Sequence, residues 1–221
     1  MSIKIENVVL PSDMQWKSII IGARNPMNSW NKSDSTPDAI GEKDLKLLSG
    51  LAKAGPDHGK FLRMIPVYID ITAPLYWWKE FDTYKVGTVA NSCSTMHKIH
   101  AKEFTLEDFS CEHLLRGLEL PKGDYVELGV NDEPYSPLGF MGEMVEVLNH
   151  FRKNYLKTKE KKYWWQMIQL LPSSYNQKRT VMLNYQVIKH MYHSRKEHKL
   201  DEWRIFCSWC EQLPYFKELV L

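Results

Sequence analysis

Residues 64–73 alternate between apolar and polar side chains, and this period of two suits an extended strand but not a helix. The apolar positions are Val67, Ile69 and Ile71. β-branched residues at alternating positions are typical of strands. The pattern therefore predicts a β-strand, which Pro74 ends where the next helix begins.

Most other segments show the spacing of helices. Apolar residues recur every three or four positions, which predicts helices over 13–24, 44–54, 105–118, 139–157, 162–171, 175–196 and 199–213. A second strand is predicted for 2–10, and polar, Pro-containing loops are predicted for 25–42 and 121–138. The basic run 157–162 indicates the solvated end of a helix. Together these segments predict an α+β fold with several helices and few strands.

Composition limits the class of protein. The 221 residues are 43% hydrophobic and 25% charged, which predicts one globular domain over 1–221. No apolar run reaches about 18 residues and no signal pattern opens the chain, so no membrane contact is expected. The net charge of +2 gives no reason to expect nucleic acid as a partner. Four cysteines without a secretory signal indicate a reducing, cytoplasmic setting.

The basic residues are unevenly divided between two types. The chain has 22 Lys and 7 Arg. Arg is the side chain whose planar fork best binds phosphates and carboxylates. Taken alone, this count argues against a nucleotide enzyme built on Arg clamps.

One helical face carries a polar residue at each end. In the predicted helix 175–196, the residues at i, i+4, i+7 and i+11 are Asn184, Ile188, Met191 and Arg195. Periodicity alone favours a packed stripe whose polar ends reach solvent. A binding face is the alternative.

The order of these residues resembles a known family. Leu171-Pro172, Asn184, Arg195, His198 and Glu202-Trp203-Arg204 follow one another as in the C-terminal half of flavin-dependent thymidylate synthases (ThyX). The N-terminal segments that resemble the family are Ala23-Arg24, Gly55-Pro56-Asp57-His58 and the run 73–81. The resemblance covers about residues 15–105 and 140–215 and rests on order and spacing more than on identity.

The family signature R-H-R-x7-S is altered in this chain. Its R-H-R becomes Thr83-Tyr84-Lys85, its Ser becomes Cys93, and a following Arg becomes Thr95. The Arg of the family's N-x-R motif becomes Gln186. The family is implied to hold the dUMP phosphate and the flavin with these arginines. The groups that could replace them at the phosphate are Lys85, Ser92, Cys93, Ser94 and Thr95. A polar turn capped by its own hydroxyls is the alternative interpretation of 91–98.

The resemblance implies a small antiparallel sheet flanked by helices, in homotetramers with active sites at subunit interfaces. It implies reductive transfer of a one-carbon unit from methylenetetrahydrofolate to C5 of dUMP, with FAD as carrier and NADPH as reductant. Arg195 would be the catalytic residue and would also bind the uracil ring. His58, Asn184, His198 and Arg204 would bind FAD. Two alternatives stay open: hydroxymethylation of dUMP or dCMP, and a nucleotide-binding homologue without catalysis.

The thiols, imidazoles and aromatic rings of the chain offer further candidates for site residues. Cys93 could act as a nucleophile toward a pyrimidine, but a packing role is favoured because a flavin route needs no thiol. The Cys207-x-x-Cys210 pair and the His190 and His193 pair each lack further ligands, so no metal is expected. The candidates to stack on a flavin or pterin ring are Tyr84 and Trp78.

Overall fold

The computed structural model describes residues 3–116 and 136–221. Its strands are β1 (Lys4–Val9), β2 (Pro66–Pro74), β3 (Val89–Ser92) and β4 (Asn176–Asn184). Its helices are α1 (Asp13–Arg24), α2 (Glu42–Lys53), α3 (Leu75–Phe81), α4 (Pro137–Thr158), α5 (Lys161–Leu170), α6 (Tyr185–Arg195), α7 (Asp201–Cys210) and α8 (Phe216–Val220). Within the described ranges, no helix is long and apolar enough to cross a membrane.

The described chain forms two compact units. The first contains the described residues within Met1–Lys4, Thr72–Trp78 and Ser92–Lys178. The second contains Ile5–Ile71, Lys79–Asn91 and Arg179–Leu221. That residues 1–221 form one domain remains a prediction.

Most residues of all four strands belong to the second unit, where they form an antiparallel sheet of order β1-β2-β4-β3. The predicted strand is confirmed as β2, and its apolar positions Val67, Ile69 and Ile71 are buried. On the opposite face, Asp70 accepts hydrogen bonds from Asn7 Nδ2 (2.8 Å) and Thr180 Oγ1 (2.6 Å). These polar contacts link β2 to both of its neighbours. The α+β class and the small antiparallel sheet are thus confirmed.

The helices of the second unit pack around one 3₁₀ segment, Gly59–Met64, which contacts α1, α2 and α6. α1 begins where predicted because Ser12 and Gln15 form a capping box at its N-terminus. Its apolar face buries Ile19 and Ile20. α7 packs against α6, and α8 packs against α2, so the C-terminal helices close the core of this unit.

The first unit has a core of its own. The buried residues in it are Ile99, Phe104, Phe109, Val145, Leu148 and Met167. α4 and α5 pack against each other and supply half of this core. The buried side-chain amide of Asn149 fixes the backbone at Phe104 to α4. Its Nδ2 donates to the Phe104 carbonyl (2.8 Å), and its Oδ1 accepts from the Phe104 amide (2.9 Å).

The predicted helix over 175–196 is wrong in its first half. Residues 176–184 form β4, and the helix begins only at Tyr185. Val181 and Leu183 alternate into the core while Thr180 stays exposed, so this segment has strand periodicity. Asn184 therefore precedes α6 as its N-cap and does not share a helical face with Arg195.

The predicted helix over 105–118 is also wrong within the described residues. Thr105 and Asp108 do form a capping box, but the helix it opens is the single 3₁₀ turn Leu106–Asp108. Phe109 then pairs with Tyr175 in a β-bridge and is buried, which draws the chain out of helical geometry. Positions 117–135, which include most of the predicted loop 121–138, lie outside the described residues; 137 and 138 begin α4.

A buried ion pair holds the loop between α1 and α2. Arg24 Nε donates to Asp44 Oδ1 (2.6 Å), and both side chains are almost fully buried. Asp44 Oδ2 accepts bonds from the Ser33 and Ser35 hydroxyls, each at 2.6 Å. Burial alone would raise the pKa of Asp44, but the hydrogen bonds of Ser33, Ser35 and Arg24 and the charge of Arg24 outweigh it and lower the pKa to about 2.

Replacing Asp44 with Ala should lower the free energy of unfolding by about 3–5 kcal/mol, because Arg24 is left as a buried, uncompensated charge. Guanidinium chloride titration followed by tryptophan fluorescence measures this change. Asp38→Ala is the matched control, since Asp38 is an exposed carboxylate of the same loop. Equal losses in the two variants would contradict a structural role for the pair.

The same carboxylate predicts part of the acid sensitivity. The folded-state pKa of about 2 lies below the unfolded value near 4, so the stabilisation is complete above about pH 4. It is lost as the pH falls from about 4 towards 2, and its size is about 2 kcal/mol. The free energy of unfolding of Asp44→Asn, measured against pH, should therefore lack the fall of about 2 kcal/mol that the Asp44 carboxylate causes.

Candidate functional site

One carboxylate oxygen in the second unit lies within contact distance of three other side chains. Glu80 Oε2 accepts hydrogen bonds from Arg195 Nη1 at 2.7 Å and from the indole Nε1 of Trp203 at 3.0 Å. His198 Nε2 lies 3.4 Å from the same oxygen. Glu80 lies in α3, Arg195 ends α6 and Trp203 lies in α7, so the carboxylate ties together the elements that position the predicted catalytic residue.

The Arg195 guanidinium is enclosed on two sides. Its Nε donates to the Tyr84 hydroxyl at 2.8 Å. Its central carbon lies 5.6 Å from the Tyr84 ring centroid and 5.0 Å from that of Trp203, which is cation–π geometry. The side chain keeps 19% of its surface exposed, and Nη2 makes no hydrogen bond within the described residues. Arg195 is thus an oriented cation with one donor edge left for an acceptor.

Asn184 joins the loop after α3 to the start of α6. Its Oδ1 accepts from the Val187 amide at 3.0 Å, and its Nδ2 donates to the Gly87 carbonyl at 3.3 Å. Gly87 has a φ of +90°, and a Cβ there would lie 3.0 Å from Val187 Cγ2 and 3.1 Å from Asn184 Nδ2. The amide that was predicted to bind FAD is therefore engaged in capping and loop contacts.

The remaining predicted residues of the second unit face solvent to different extents. His58 is exposed ahead of Gly59–Met64, and Lys85 is exposed after the 3₁₀ turn Asp82–Tyr84. Arg204 is 57% exposed and pairs with Asp201. His198 is 24% exposed, and its Nδ1 accepts from the Leu200 amide at 3.2 Å. Of these groups, His198 meets Arg195 at Glu80 Oε2, and no described contact joins His58, Lys85 or Arg204 to that cluster. Taken by residue type, these imidazoles and cations are donors whose chemistry fits a diphosphate such as that of FAD.

The segment 92–95 lies in the first unit. The Cys93 amide donates to the Lys178 carbonyl at 2.9 Å, and the Cys93 carbonyl accepts from Gln177 Nε2 at 2.8 Å. Ser92 and Ser94 are exposed, and Thr95 is half-buried. The Ser94 hydroxyl accepts from the amides two and three residues later, so it caps its own turn. At Ser94, the structure thus shows a turn capped by its own hydroxyl, which is the alternative interpretation of 91–98.

The cysteine side chains differ in how far they are exposed to solvent. Cys93 is exposed, so the favoured packing role is wrong for the chain described. Cys207 and Cys210 are buried as predicted, and burial raises the pKa of Cys207 to about 11. Within the described ranges, no group of three His, Cys, Asp or Glu residues could hold a metal ion.

Both aromatic rings proposed for stacking are enclosed in the structure. Trp78 is fully buried, and its Nε1 donates to the Gln177 carbonyl at 2.9 Å. Tyr84 is buried against Arg195, His190 and Trp203. Neither ring presents an open face for a ligand.

Sequence reasoning missed Glu80 as a site residue. It lies in the run L-Y-W-W-K-E-F, where a carboxylate among four aromatic residues is a signal for a paired acid. Glu80 and Tyr84 are four residues apart, so a helical continuation brings them to one side. The pairing with Arg195 required the tertiary fold.

A cavity of about 430 Å³ in the second unit contains none of the predicted site residues. It lies between α1, the loop 33–40 and Pro214-Tyr215. Trp16 and Trp30 form part of its wall. Size alone does not make this cavity the centre of the chemistry, because its lining lacks the convergent polar groups found around Glu80.

No protein-family model matches the sequence, and no curated protein matches it. Solved structures do match. A ThyX from Helicobacter pylori, solved with FAD and dUMP, is 15% identical over 100% of this chain and 97% of its own, with a TM-score of 0.64. The UMP/dUMP methylase PolB from Streptomyces cacaoi, bound with 5-Br dUMP, is 14% identical over 99% and 93%, with a TM-score of 0.62.

This chain has the fold of flavin-dependent thymidylate synthases. The resemblance inferred from Leu171-Pro172, Asn184 and Arg195 is thereby confirmed in the fold. A second H. pylori ThyX complex with FAD and dUMP gives the same result, with 16% identity and a TM-score of 0.63. At such identities the ThyX-like architecture is established, and the chemistry has to be argued from the residues.

Replacing Glu80 with Ala should lower the free energy of unfolding by about 1–3 kcal/mol, because the buried Trp203 indole and Arg195 lose their shared acceptor. Glu197→Ala, an exposed carboxylate just beyond α6, is the matched control. A double-mutant cycle with Arg195→Ala isolates the pair by denaturant unfolding. A coupling energy near zero would show that Glu80 does not hold Arg195.

Proposed function

We propose that this protein is a flavin-dependent thymidylate synthase-like enzyme. It transfers a one-carbon unit reductively from methylenetetrahydrofolate to C5 of dUMP, with FAD as carrier and NADPH as reductant. The observation that carries the proposal is Arg195, an oriented guanidinium with an open edge at the position expected for a residue that binds uracil. The ThyX-like fold over the whole chain supports the proposal, since two neighbours were solved with FAD and dUMP.

Arg195 would bind the uracil ring through its open edge. A guanidinium aimed at a pyrimidine carbonyl stabilises negative charge that develops on the ring, and a fixed donor needs no reorganisation when that charge appears. Glu80 and Tyr84 fix the orientation, since they occupy Nη1 and Nε and leave only Nη2. The enclosing rings of Tyr84 and Trp203 reduce the access of water to the cation.

FAD would be held by His58, Asn184, His198 and Arg204. The bound flavin would supply the redox chemistry of the one-carbon transfer. The exposed His58 and Arg204 suit the diphosphate, and His198 next to Glu80 suits a polar group nearer the ring. Asn184 would act mainly through the backbone it caps.

The nucleotide phosphate would bind to Lys85 together with Ser92, Cys93, Ser94 and Thr95. Lys85 supplies a point charge on an exposed turn. Ser92 ends β3 and Cys93 follows it, and both side chains are exposed, so hydroxyl and thiol are open to a ligand. We further propose a homotetramer of single-domain chains in the cytoplasm, with site residues contributed by different subunits.

A variant pyrimidine modifier is the second candidate. PolB, a UMP/dUMP methylase, is a structural neighbour with nearly the same TM-score, so the fold is compatible with more than one pyrimidine substrate. The changed signature residues Thr83-Tyr84-Lys85 favour an altered nucleotide site, for instance for hydroxymethylation of dUMP or dCMP. A non-catalytic homologue that binds a nucleotide is the third candidate, because this chain lacks the arginines of the family signature.

Purified protein should show the visible absorption of a bound flavin, or acquire it on titration with FAD followed by gel filtration. The donors proposed to hold FAD, namely His58, Asn184, His198 and Arg204, are the reason for this expectation. Riboflavin serves as the ligand control, because it lacks the diphosphate that His58 and Arg204 would bind. A colourless protein that takes up no FAD would exclude both flavin-dependent reactions.

Arg195→Ala should reduce turnover of dUMP at least about a hundredfold, the usual effect of removing a donor that stabilises developing charge. Tritium release from [5-³H]dUMP measures turnover, and parallel assays with dCMP choose the substrate. Arg63→Ala removes an exposed arginine of the same unit and should leave turnover unchanged. Unchanged activity in Arg195→Ala, with the fold intact by circular dichroism, would refute the assigned role.

A further inference from the structure

The first unit contains a cavity of about 440 Å³ between the loop 96–100 and the junction of α4 with α5. Basic and aromatic side chains dominate its lining, namely His97, His100, Tyr155, Lys159, Lys161 and Trp164. None of the described residues that line it is Asp or Glu. A cavity of this size lies within the range of small-ligand sites.

The charge around the cavity is strongly positive. Burial lowers the pKa of His100 first, and the charges of Lys159, Lys98 and Arg152 lower it further. Three cations from two segments therefore act on one imidazole. The nearby carboxylate of Glu160 is paired with Lys162 at 2.7 Å, so the charges of these two residues balance and those of Lys159 and Lys161 are in excess. An anion entering the cavity would meet an uncompensated positive field.

The wall formed by the loop 96–100 is held at both ends. Trp164 Nε1 donates to the Met96 carbonyl at 3.0 Å, and Arg152 Nε donates to the His100 carbonyl at 3.0 Å. These bonds fix the loop to α5 and to α4 before any ligand arrives. A preorganised wall lowers the entropic cost of binding.

The hydrogen bonds of Ser94 determine which nitrogen of His97 can donate. The Ser94 hydroxyl accepts from the Met96 amide at 3.2 Å and from the His97 amide at 2.9 Å, which uses both of its lone pairs. Its single proton must therefore point to His97 Nδ1, 3.0 Å away. Neutral His97 then carries its own proton on Nε2, and that donor has no hydrogen-bond partner within the described residues.

Three further residues contribute polar groups to the lining, namely His100, Lys159 and Lys161. His100 Nδ1 is buried and makes no hydrogen bond in the described chain, which is costly for a polar atom unless a ligand or water satisfies it. Lys159 ends α4 in the left-handed conformation, with a φ of 60° that lysine rarely adopts, and Lys161 begins α5. Both lysines line the cavity, and the Lys159 ammonium lies 5.8 Å from the ring centroid of Tyr155, another lining residue.

We propose that this cavity is an oxyanion site that binds the phosphate groups of a small ligand. Lys159 and Lys161 supply the charge, and His97 Nε2 supplies a directional donor. The site differs from the phosphate contacts assigned to Lys85 and 92–95, and its binding of inorganic phosphates requires neither flavin nor catalysis. Two residues of the basic run 157–162, Lys159 and Lys161, thus have a binding role in a segment that sequence alone indicates to be a solvated helix end.

The test is isothermal titration calorimetry of the full chain with inorganic pyrophosphate. Lys159→Asn removes the charge and suits the left-handed backbone, and Lys161→Gln removes the second charge. Each should weaken pyrophosphate binding about tenfold, the loss expected for one charge-assisted hydrogen bond. Lys157→Gln is the matched control, because Lys157 is exposed in the last turn of α4 but does not line the cavity.

Absence of pyrophosphate binding to the unmodified protein, or equal weakening by Lys157→Gln, would overturn the proposal. Thermal denaturation of each variant confirms that the fold is kept. A competition arm with dUMP identifies the source of the phosphate. Displacement of pyrophosphate by dUMP, sensitive to Lys159→Asn, would assign the site to the nucleotide, and its absence would assign the site to a different phosphorylated ligand.

The flavin titration separates this proposal from the proposed enzyme function. Lys159→Asn and Lys161→Gln should leave FAD uptake unchanged, since neither residue is among those proposed to hold FAD. Nitrogen chemical shifts of His97 provide a second check, and they should report a proton on Nε2 in the free protein. A proton on Nδ1 would remove the directional donor on which the geometry depends.

Discussion

The carboxylate of Glu80 is the contact on which the candidate site depends. A single oxygen accepts from a guanidinium and an indole and lies near an imidazole, and each of these groups comes from a different C-terminal segment. Charge-assisted bonds of this kind are strong because both partners are partly desolvated. Without the acid, Arg195 would keep only the Tyr84 hydroxyl as a hydrogen-bond partner among the described residues, and Nη1 would lose its acceptor. The orientation of the cation, more than its presence, is what makes a binding function plausible.

The altered signature motif has a physical meaning in the folded chain. Where the family pattern has His, this chain has Tyr84, which is buried and accepts from Arg195. The position of the following Arg is taken by Lys85, which remains at the surface. One replacement thus supports the retained arginine from inside, while the other keeps a positive charge available outside. The shortage of Arg changes how a nucleotide would be held but leaves the scaffold intact.

Much of the fold followed from periodicity, and the errors have identifiable causes. β2 was predictable because Val67, Ile69 and Ile71 alternate and a proline follows. β4 was missed because its strand pattern runs without a break into α6, although Asn184 is a typical N-cap. Arg195 could be identified from family order, whereas Glu80 could not, because its partner lies 115 residues away. Spacing along the chain indicates neighbours on one element, and long-range pairing requires the assembled core.

The close approach at Gly87 also limits how this protein can change. Its positive φ strains any residue with a side chain, and a Cβ there would require Val187 Cγ2 and Asn184 Nδ2 to shift by a few tenths of an ångström. A substitution at position 87 would therefore disturb the Asn184 cap as well as the turn. The turn that bears Tyr84 and Lys85 is fastened at this point to the helix that bears Arg195. A change that displaces this turn would therefore also displace the start of that helix.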